Sequence, residues 1–446
     1  MDTTRKRLSF FLFGYLAFVV YGSLVPLAFT AMPFELAWQR FLDIPWLKLG
    51  AMSRADWIAN ILLYMPLSGV LFLLILRQGL RSVLISTVVT LFFCLALALS
   101  VEFLQVYFPP RTVSLNDLLA EFLGTIIGIS IAAFAKTIMR LRDYQAGILS
   151  NSELFLSVYI LSYLALSLFP FDFVISRSEL QEKVSLGRIG LITATGGCDQ
   201  FYLCGFKLLF EVLLTIPIGL LIAARKGRVS IGQSSILLWA LMFGTSIELL
   251  QALVLSGISQ GVSVVSKALG IVLGSYMWSE SRVIVAYMDR VKPRKLVTLL
   301  GVPYIIGLLV ANRWFETGWI GSADAIDKLQ GLSFLSFYYH YFTTETVAMV
   351  SLLFYAGLYS PVGLAVALIQ KYASEPRVAL TVAWAGLFSF LIEGAKLFQL
   401  GERPDPTNII IAITAAVITQ LLAFRLLSIT LTRHRNLQCA ASAGRE

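Results

Sequence analysis

The sequence predicts an all-α fold, a polytopic transmembrane helical bundle of about 12 helices arranged as three four-helix repeats. The chain is 58% hydrophobic and only 14% charged, with a mean hydropathy of +0.80. A soluble fold of this composition would leave much apolar surface without polar cover. The third observation is a series of long apolar stretches, each near the length that a spanning helix needs.

Twelve apolar stretches follow one another along the chain. They lie at 8–30, 55–76, 81–104, 115–135, 152–170, 203–224, 234–256, 261–279, 296–311, 345–370, 379–400 and 407–430. The first follows "MDTTRKR" and continues without a clear small-residue cleavage site. It is therefore predicted to be a retained helix rather than a signal peptide.

Lysine and arginine are unevenly distributed between the links. With the N-terminus inside, 22 of the 35 Lys and Arg residues fall in inner segments and ten in outer segments. Cytoplasmic loops are enriched in these residues, so both termini are expected in the cytoplasm. The net charge of +9 then reflects inner loops that face an anionic leaflet, and it does not indicate nucleic-acid binding.

Cysteine and histidine are too few and too scattered to predict a metal site. The four cysteines have no metal-ligand spacing, and two histidines argue against a His-rich metal centre or a Ser-His-Asp triad. No metal and no cofactor is expected. Cys198 and Cys204 fall in or beside a predicted outer loop, where the sequence leaves open whether they form a disulfide.

The chain carries the same pattern three times. Pro66, Pro217 and Pro361 are each followed by a glycine two or three residues later. One helix further on, a glutamate follows each proline by 36, 31 and 32 residues, in "SVEFLQ", "SIELLQ" and "FLIEGAK". Internal repeats of this kind decide how the whole fold is interpreted.

The match extends to glycines in the first two copies. Glycines follow Glu102 and Glu248 by 22 and 26 residues, whereas Ala415 and Thr419 occupy these places in the third copy. The repeats, each of four helices, are predicted at residues 1–145, 146–296 and 297–446. Because four is even, each repeat starts and ends inside, so the copies are parallel rather than inverted.

Polar side chains gather in repeat 1, toward the predicted outer ends of its helices. The candidate ligand-binding residues are Asp56, Asn60, Glu102, Gln105, Arg111, Asp117 and Glu121. Glu102 and Gln105 are three residues apart and share a helix face. A charge at the bilayer centre costs at least about 2.5–3.5 kcal/mol, which favours a functional site. The alternative is that these groups only satisfy one another and fix helix packing.

Three further residues of repeat 1 are predicted to serve helix packing. Gly124 and Gly128 form a GxxxG motif, which most often marks close approach of two helices. Pro66 removes a backbone hydrogen bond and kinks its helix. Whether this kink opens a cavity is left undecided by the sequence.

Charges at matching positions of repeats 1 and 2 are opposite. Glu121 and Lys267 each lie 19 residues beyond the repeat glutamate, and Asp56 and Lys207 each lie ten residues before the repeat proline. Buried charges in a membrane usually find partners. Glu121 is therefore predicted to pair with Lys267, or Asp56 with Lys207, unless each lysine snorkels alone to the interface.

Repeat 1 resembles the VanZ-like family of integral membrane proteins over about residues 50–135. The resemblance rests on "NILLYMPLSG", "SVEFLQ", "PPR" and "NDLLAEFLGTIIG". The matching positions are Asn60, Pro66, Glu102, Gln105, Arg111, Asp117, Gly124 and Gly128. In two departures, Ser68 stands where the family has a glycine, and Glu121 replaces its usual asparagine.

The resemblance implies a bacterial cytoplasmic (inner) membrane and a role in the cell envelope. Family members are linked to antibiotic resistance, at a low level against the glycopeptide teicoplanin, and to exopolysaccharide pathways. The family has no established reaction. It therefore suggests a setting for this chain without supplying a mechanism or an oligomeric state.

Three functions are compatible with the polar residues. The first is binding of an amphiphilic envelope molecule, a lipid-linked saccharide or a lipoglycopeptide, at the extracytoplasmic leaflet among membrane lipids. There Arg111 would meet a phosphate or carboxylate in a bidentate manner. The second is a membrane enzyme that uses Glu102 and Asp117 as general acid and base. The third is an ion-coupled transporter whose carboxylates act as relays.

Overall fold

A computed structural model gives the fold of the chain. It describes residues 3–47, 50–77, 82–144, 151–197, 201–225, 233–280 and 293–443. In this part the backbone is helical almost throughout, with sixteen α-helices and one small two-stranded sheet. The chain divides into an N-terminal unit, Met1–Trp278, and a C-terminal unit, Ser279–Glu446.

The N-terminal unit contains long helices and two short ones in its described residues. They are α1 (Thr3–Leu24), α2 (Phe34–Leu42), α3 (Ala51–Arg77), α4 (Val83–Gln105), α5 (Leu115–Tyr144), α6 (Asn151–Leu168), α7 (Arg177–Ser185), α8 (Phe201–Arg225), α9 (Gln233–Ala252) and α10 (Gly261–Ser279). Two short strands, β1 (Ile189–Gly190) and β2 (Ser259–Gln260), pair in parallel. This sheet joins the loop after α7 to the residues that precede α10.

The C-terminal unit follows the same pattern of long and short helices. They are α11 (Pro293–Ala311), α12 (Ser322–Gln330), α13 (Tyr338–Tyr341), α14 (Glu345–Ile369), α15 (Val378–Lys396) and α16 (Pro406–Ala443). An isolated antiparallel bridge between Trp319 and Gln399 joins the loop after α11 to the end of α15. The core of this unit forms where α11, α14, α15 and α16 meet, around the buried Tyr359 and Ala385.

Twelve of the helices coincide with the twelve apolar stretches of the sequence, and the predicted all-α polytopic bundle is confirmed. Among the described residues, nine helices are long and apolar enough to cross a membrane, and α1 and α6 contain shorter apolar segments. The prediction was wrong at the end of the first stretch, 8–30, because α1 ends at Leu24. Pro26 follows closely, and its missing N–H cannot extend the helical hydrogen bonds.

Four short helices lie in links that the sequence analysis treated as loops. For α7 a local signal was present, since Ser176 and Glu179 form a capping box at its start. The pattern of Ser three residues before Glu is typical of a helix N-terminus. Long apolar stretches indicate spanning helices only, so these four short helices were not predicted.

The spanning helices bury narrow stripes and leave the rest of their apolar surface exposed. In α4, for example, Phe92 is 75% and Leu84 72% exposed, whereas Cys94 and Ala98 are buried. A helix that is hydrophobic on all sides is typical of a lipid environment. These exposed side chains are therefore the lipid-facing surface of the bundle.

In the N-terminal unit, α3 packs most extensively against α5. A Cβ atom on Gly124 would lie 2.3 Å from the carbonyl oxygen of Ile61, and one on Gly128 would lie 2.1 Å from that of Met65. These distances are far shorter than a van der Waals contact. The two helix backbones therefore approach as closely as they do because both GxxxG positions lack a side chain.

Three tyrosine hydroxyls make the same contact with a proline-containing helix. Tyr15, Tyr159 and Tyr304 donate to the carbonyl oxygens of Leu63, Leu214 and Leu358 over 3.0, 2.7 and 3.0 Å. Each acceptor lies three residues before the proline inside α3, α8 or α14. Proline opens the helix at this place because it has no N–H to donate, and the tyrosine supplies a donor beside the break.

Two lysines of short helices bind the carbonyl ends of long helices. Lys183 of α7 donates to the carbonyl oxygens of Gln251, over 2.7 Å, and of Val254. Lys328 of α12 donates to the carbonyl oxygens of Lys396 and Gln399. A cation at a helix C-terminus satisfies orphan carbonyls and interacts favourably with the helix dipole. Burial lowers the pKa of Lys183 to about 8.

Candidate functional site

Three buried glutamates make one recurring backbone contact. Each carboxylate lies beside the N–H of the residue that immediately precedes a spanning helix, twelve positions downstream. Glu248 and Glu393 accept hydrogen bonds from Gln260 and Asp405 over 2.7 and 2.8 Å, and Glu102 interacts with the backbone of Ser114 at the corresponding place. The first N–H groups of a helix have no partner within it, and a nearby anion is favoured by the dipole. These glutamates thus fix the starts of α5, α10 and α16.

The glutamate of α9 is neutralised by a lysine. Glu248 Oε2 accepts the Gln260 N–H over 2.7 Å, and Glu248 Oε1 lies 2.6 Å from Lys267 Nζ. The same ammonium lies 3.2 Å from Glu211, a residue of α8. Both oxygens of Glu248 are therefore occupied, and its charge is compensated inside the helix bundle.

The glutamate of α15 is neutralised in the same way by a different lysine. Glu393 Oε2 accepts the Asp405 N–H over 2.8 Å. Glu393 Oε1 lies 2.7 Å from Lys396 Nζ and accepts from Asn408 over 3.0 Å. The ammonium of Lys396 is held in turn by the Tyr355 hydroxyl at 2.8 Å.

In the described part of the chain, no such cation lies in hydrogen-bonding contact with Glu102. Glu102 is 2% and Glu121 3% exposed, and the Oε2 atoms of both are buried without a hydrogen-bond partner among the described residues. Glu121, Glu102 and Asp117 lie within electrostatic reach of one another. The hydroxyl of the fully buried Tyr64 lies beside Glu121 without a well-aligned hydrogen bond. Three acidic groups thus meet where α3, α4 and α5 converge.

Asp117 is the best satisfied of the three carboxylates. Its Oδ1 accepts from Asn60 over 2.8 Å, and its Oδ2 accepts from the Ser114 hydroxyl over 2.6 Å. Asn60 and Asp117 were selected from the sequence, and the structure brings them together. Ser114, whose backbone also interacts with Glu102, was not predicted.

Gln105 and Arg111 bind the end of α1. Gln105 donates to the carbonyl oxygen of Ser23 over 2.9 Å, and Arg111 donates to that of Gly22. Arg111 also lies within electrostatic reach of Glu102. Asp56 is exposed and takes no part in the hydrogen bonds that join Asn60 and Ser114 to Asp117. The site therefore centres on Glu102, Glu121 and Asp117, with Arg111 at its edge.

The predicted pair of Glu121 with Lys267 is wrong. Lys267 forms its ion pairs with Glu248 and Glu211. Glu211 was not predicted from the sequence, although it lies six residues before Pro217, as Asn60 lies six residues before Pro66. Two serines complete this network, because Ser263 and Ser266 donate to the two oxygens of Glu211.

The alternative pair, Asp56 with Lys207, is wrong as well, because Lys207 Nζ is buried without a hydrogen-bond partner among the described residues. Lys207 is partly buried and lies within electrostatic reach of Glu211, Glu248 and Lys267. Two cations and two carboxylates therefore share this network, whose formal charges balance. The site formed by Glu102, Asp117 and Glu121 is buried to a similar degree, but its formal charges do not balance.

An ion pair connects the start of a spanning helix to a short helix of the N-terminal unit. Arg54 of α3 lies 2.8 Å from Glu179 of α7, with Arg54 buried and Glu179 partly exposed. The Arg54 side chain and the backbone N–H of Ile175 donate to Glu179 and lower the pKa of its carboxyl to about 2. This pair fixes α7 to the start of α3.

Other features of the described residues provide few groups that could bind a polar ligand or take part in a reaction. Among the described residues, no three His, Cys, Asp or Glu side chains lie close enough to hold a metal ion together. Cys204 is disulfide-bonded, and Cys198, which the sequence analysis considered as its partner, lies outside the described residues. A cavity of about 380 Å³ beside Tyr304, Pro361 and Trp384 is lined by apolar side chains and holds no charged group.

The fold and the site define a polytopic, all-α membrane protein with uncompensated carboxylates buried among its first helices. Residues 5–136 match the family model VanZ/LLP1, so this part of the chain is similar to VanZ-like proteins. The match includes most of α1, all of α3 and α4 and the part of α5 up to residue 136, and it extends the resemblance to the N-terminal side of residue 50. Neither the curated proteins nor the solved structures contain a match to the chain.

Proposed function

We propose that the VanZ-like domain binds the polar headgroup of an amphiphilic envelope molecule, such as a lipid-linked saccharide or a lipoglycopeptide, at the extracytoplasmic leaflet. The observation that carries the proposal is that one buried carboxylate oxygen on Glu102 and one on Glu121 have no hydrogen-bond partner in the described part of the chain. Leaving a buried acceptor unsatisfied is costly. A ligand that donates hydrogen bonds, as sugar hydroxyls and ammonium groups do, would remove this cost.

The place of the site in the helices supports a ligand that is part lipid. Glu102 lies in the last turn of α4 and Asp117 in the first turn of α5, so the carboxylates lie near one end of the bundle. Headgroups occupy this depth in a bilayer. Asp117 and Arg111 are only partly buried and provide the approach to Glu102.

An aromatic surface beside the site supports the same proposal. Phe34 and Trp38, both more than two-fifths exposed, stack with ring centroids 6.2 Å apart. Their rings also lie 5.8 and 5.9 Å from that of Phe103, the residue after Glu102. Aromatic side chains are enriched at the level of lipid headgroups. The surface would hold the apolar part of the ligand while the carboxylates bind its headgroup.

The bacterial inner membrane, the cell-envelope role and a link to teicoplanin resistance or exopolysaccharide pathways belong to this proposal. They follow from the resemblance to the VanZ-like family. The orientation follows from the Lys and Arg distribution, which places the Glu102 end of α4 outside. The three internal repeats are part of the proposal too, and the recurring glutamate and tyrosine contacts support them.

Photo-crosslinking tests the proposal directly. A photoactivatable polyprenyl-phosphate saccharide is added to membranes that contain the full chain, and labelling is compared between variants. We expect labelling to fall in Glu102→Gln and Arg111→Ala and to be unchanged in Glu182→Gln, an exposed carboxylate of α7. Equal labelling in all four proteins would disprove binding at this site.

A second candidate, a membrane enzyme, is favoured by the unequal surroundings of two carboxyl groups. Asp117 accepts two side-chain hydrogen bonds, whereas Glu102 keeps one oxygen without a partner. Unequal environments are what an acid and base pair of carboxyl groups requires. Turnover of the same saccharide by the purified protein, lost in Asp117→Asn, would establish the enzyme in place of a binding protein.

A further inference from the structure

We infer that the carboxylate site takes a primary ammonium group, so that its ligand is an amphiphilic amine. The inference rests on the proposed function and narrows it to one headgroup chemistry. It is drawn from the places of Lys267 and Lys396 in the same chain. At these places the protein supplies an ammonium of its own to a glutamate that is otherwise held as Glu102 is.

The ammonium takes the same place although it comes from different helices. Lys267 belongs to α10 and lies 19 residues after its glutamate, whereas Lys396 belongs to α15 and lies three residues after its own. Both Nζ atoms nevertheless bind Oε1 of the glutamate, at 2.6 and 2.7 Å. In both cases Oε2 holds the backbone N–H. Both glutamates therefore bind an ammonium group through the same oxygen, although the two lysines lie at different positions relative to their glutamates.

Glu102 has the first half of this arrangement and lacks the second. Its carboxylate interacts with the backbone of Ser114, and its Oε2 has no hydrogen-bond partner among the described residues. At the place that corresponds to Lys267, the chain supplies Glu121, a second buried carboxylate with an unpartnered oxygen. The missing component beside Glu102 is thus a cation that donates N–H groups.

The surrounding groups favour an ammonium over other cations. The hydrogen bonds at Glu248 and Glu393 have the short length of charge-assisted N–H···O contacts. Asp117 and Glu121 lie within electrostatic reach of Glu102, so their charges add to the attraction of a cation bound at Glu102. Among the described residues, these carboxylates are not placed closely enough to enclose a metal ion.

Thermal unfolding of the full chain with alkyl probes tests the inference. The protein is held in a polyoxyethylene detergent, which carries no saccharide, and titrated with decylamine, decanol or decyltrimethylammonium. A ligand of the folded state raises Tm with its concentration. We expect decylamine to raise Tm more than either control, because decanol has no charge and the quaternary amine has no N–H donor.

Two variants locate the effect. Glu102→Gln keeps an oxygen for the Ser114 N–H and removes the charge, and we expect it to weaken decylamine binding by about tenfold or more. Glu121→Lys copies the arrangement at Lys267 and should abolish the response to decylamine while raising Tm without ligand. Glu182→Gln is the matched control and should respond as the unaltered protein does.

The outcomes separate this inference from the proposed function. Equal effects of decylamine and decanol on Tm, or a decylamine response unchanged in Glu102→Gln, would disprove the inference that the site binds an ammonium group. If the saccharide probe still labels the protein in a Glu102-dependent manner, the proposed function survives that result. If decylamine binds through Glu102 and the saccharide probe does not label the protein, binding of an ammonium group is supported and a lipid-linked saccharide is excluded as the ligand. Carboxyl groups that hold protons in place of a cation would not favour decylamine over decanol, and this result would overturn the inference.

Discussion

Lys267 and Glu121 occupy matching places in the chain but opposite electrostatic situations. Lys267 compensates two carboxylates, Glu248 and Glu211, so Lys267→Met leaves two buried charges facing each other. Removing one partner of a buried pair costs about 3–5 kcal/mol. Glu121→Gln removes like-charge repulsion from Glu102 and Asp117, and relief of a strained site commonly stabilises by about 0.5–2 kcal/mol.

We therefore expect Lys267→Met to lower and Glu121→Gln to raise the Tm of the purified protein. Adding Glu211→Gln to Lys267→Met should recover part of the loss, because it removes one of the two uncompensated charges. If Glu121→Gln lowered Tm as much as Lys267→Met does, this would contradict the view that the carboxylate site is electrostatically unbalanced. Both proteins are measured in one detergent and one salt concentration, since screening alters each value.

The pair of Arg54 and Glu179 predicts a pH dependence of stability. The pKa of Glu179 in the folded chain, about 2, is below its ordinary value of 4.5, so the unfolded chain binds more protons between these values. The stabilisation is thus fully present above pH 4.5 and is lost as the pH falls toward 2. Thermal unfolding between pH 6 and pH 3 measures this loss.

The variant Glu179→Gln serves as the control for this titration. It cannot change charge at residue 179, so its Tm should fall less steeply with acid than that of the unaltered chain. At pH 6 it should be the less stable of the two. Parallel curves for both proteins would show that the Arg54 ion pair does not contribute to the pH dependence.

At the scale of elements, the contact between α3 and α5 depends on Gly124. A Cβ atom there would lie 2.3 Å from the carbonyl oxygen of Ile61, and backbone cannot yield as a flexible side chain can. Gly124→Ala should therefore push α5 away from α3 and destabilise the protein by about 1–3 kcal/mol, as overpacking does. The loss is measured as Tm and as the yield of folded protein in detergent.

Gly14 provides the matched control on α1. A Cβ atom at Gly14 would meet nothing within 4 Å, and alanine has a higher helix propensity than glycine. Gly14→Ala should therefore be neutral or slightly stabilising. An equal loss at Gly14 and Gly124 would mean that the effect of Gly124→Ala does not come from the helix contact.

At the scale of the whole molecule, the testable property is the orientation of the chain in the membrane. The Lys and Arg distribution predicts the loops at 171–202 and 312–344 outside and the link at 280–296 inside. Single cysteines placed in these segments should react with a membrane-impermeant reagent accordingly. Labelling of the turns at 225–230 and 257–260 from the same side would contradict the helix count, because one spanning helix would then be missing between them.

The sequence alone determined most of the helical layout. Each of the twelve apolar stretches coincides with a helix, because the length of an apolar run is set by bilayer thickness and is a local property. The same holds for Gly124 and Gly128, whose spacing of four places them on one helix face. The family match at residues 5–136 likewise depends on the order of residues along the chain.

Only the tertiary structure decided which charges meet. The sequence placed Glu121 opposite Lys267 by position, whereas in the structure Lys267 binds Glu248 and Glu211, so Glu121 makes no such pair. A lysine can extend its flexible side chain toward any carboxylate near its helix, and spacing along the chain does not record which helix packs alongside. The distinction between a balanced network and an uncompensated carboxylate site depends on helix packing, and it is this distinction that identifies the candidate site.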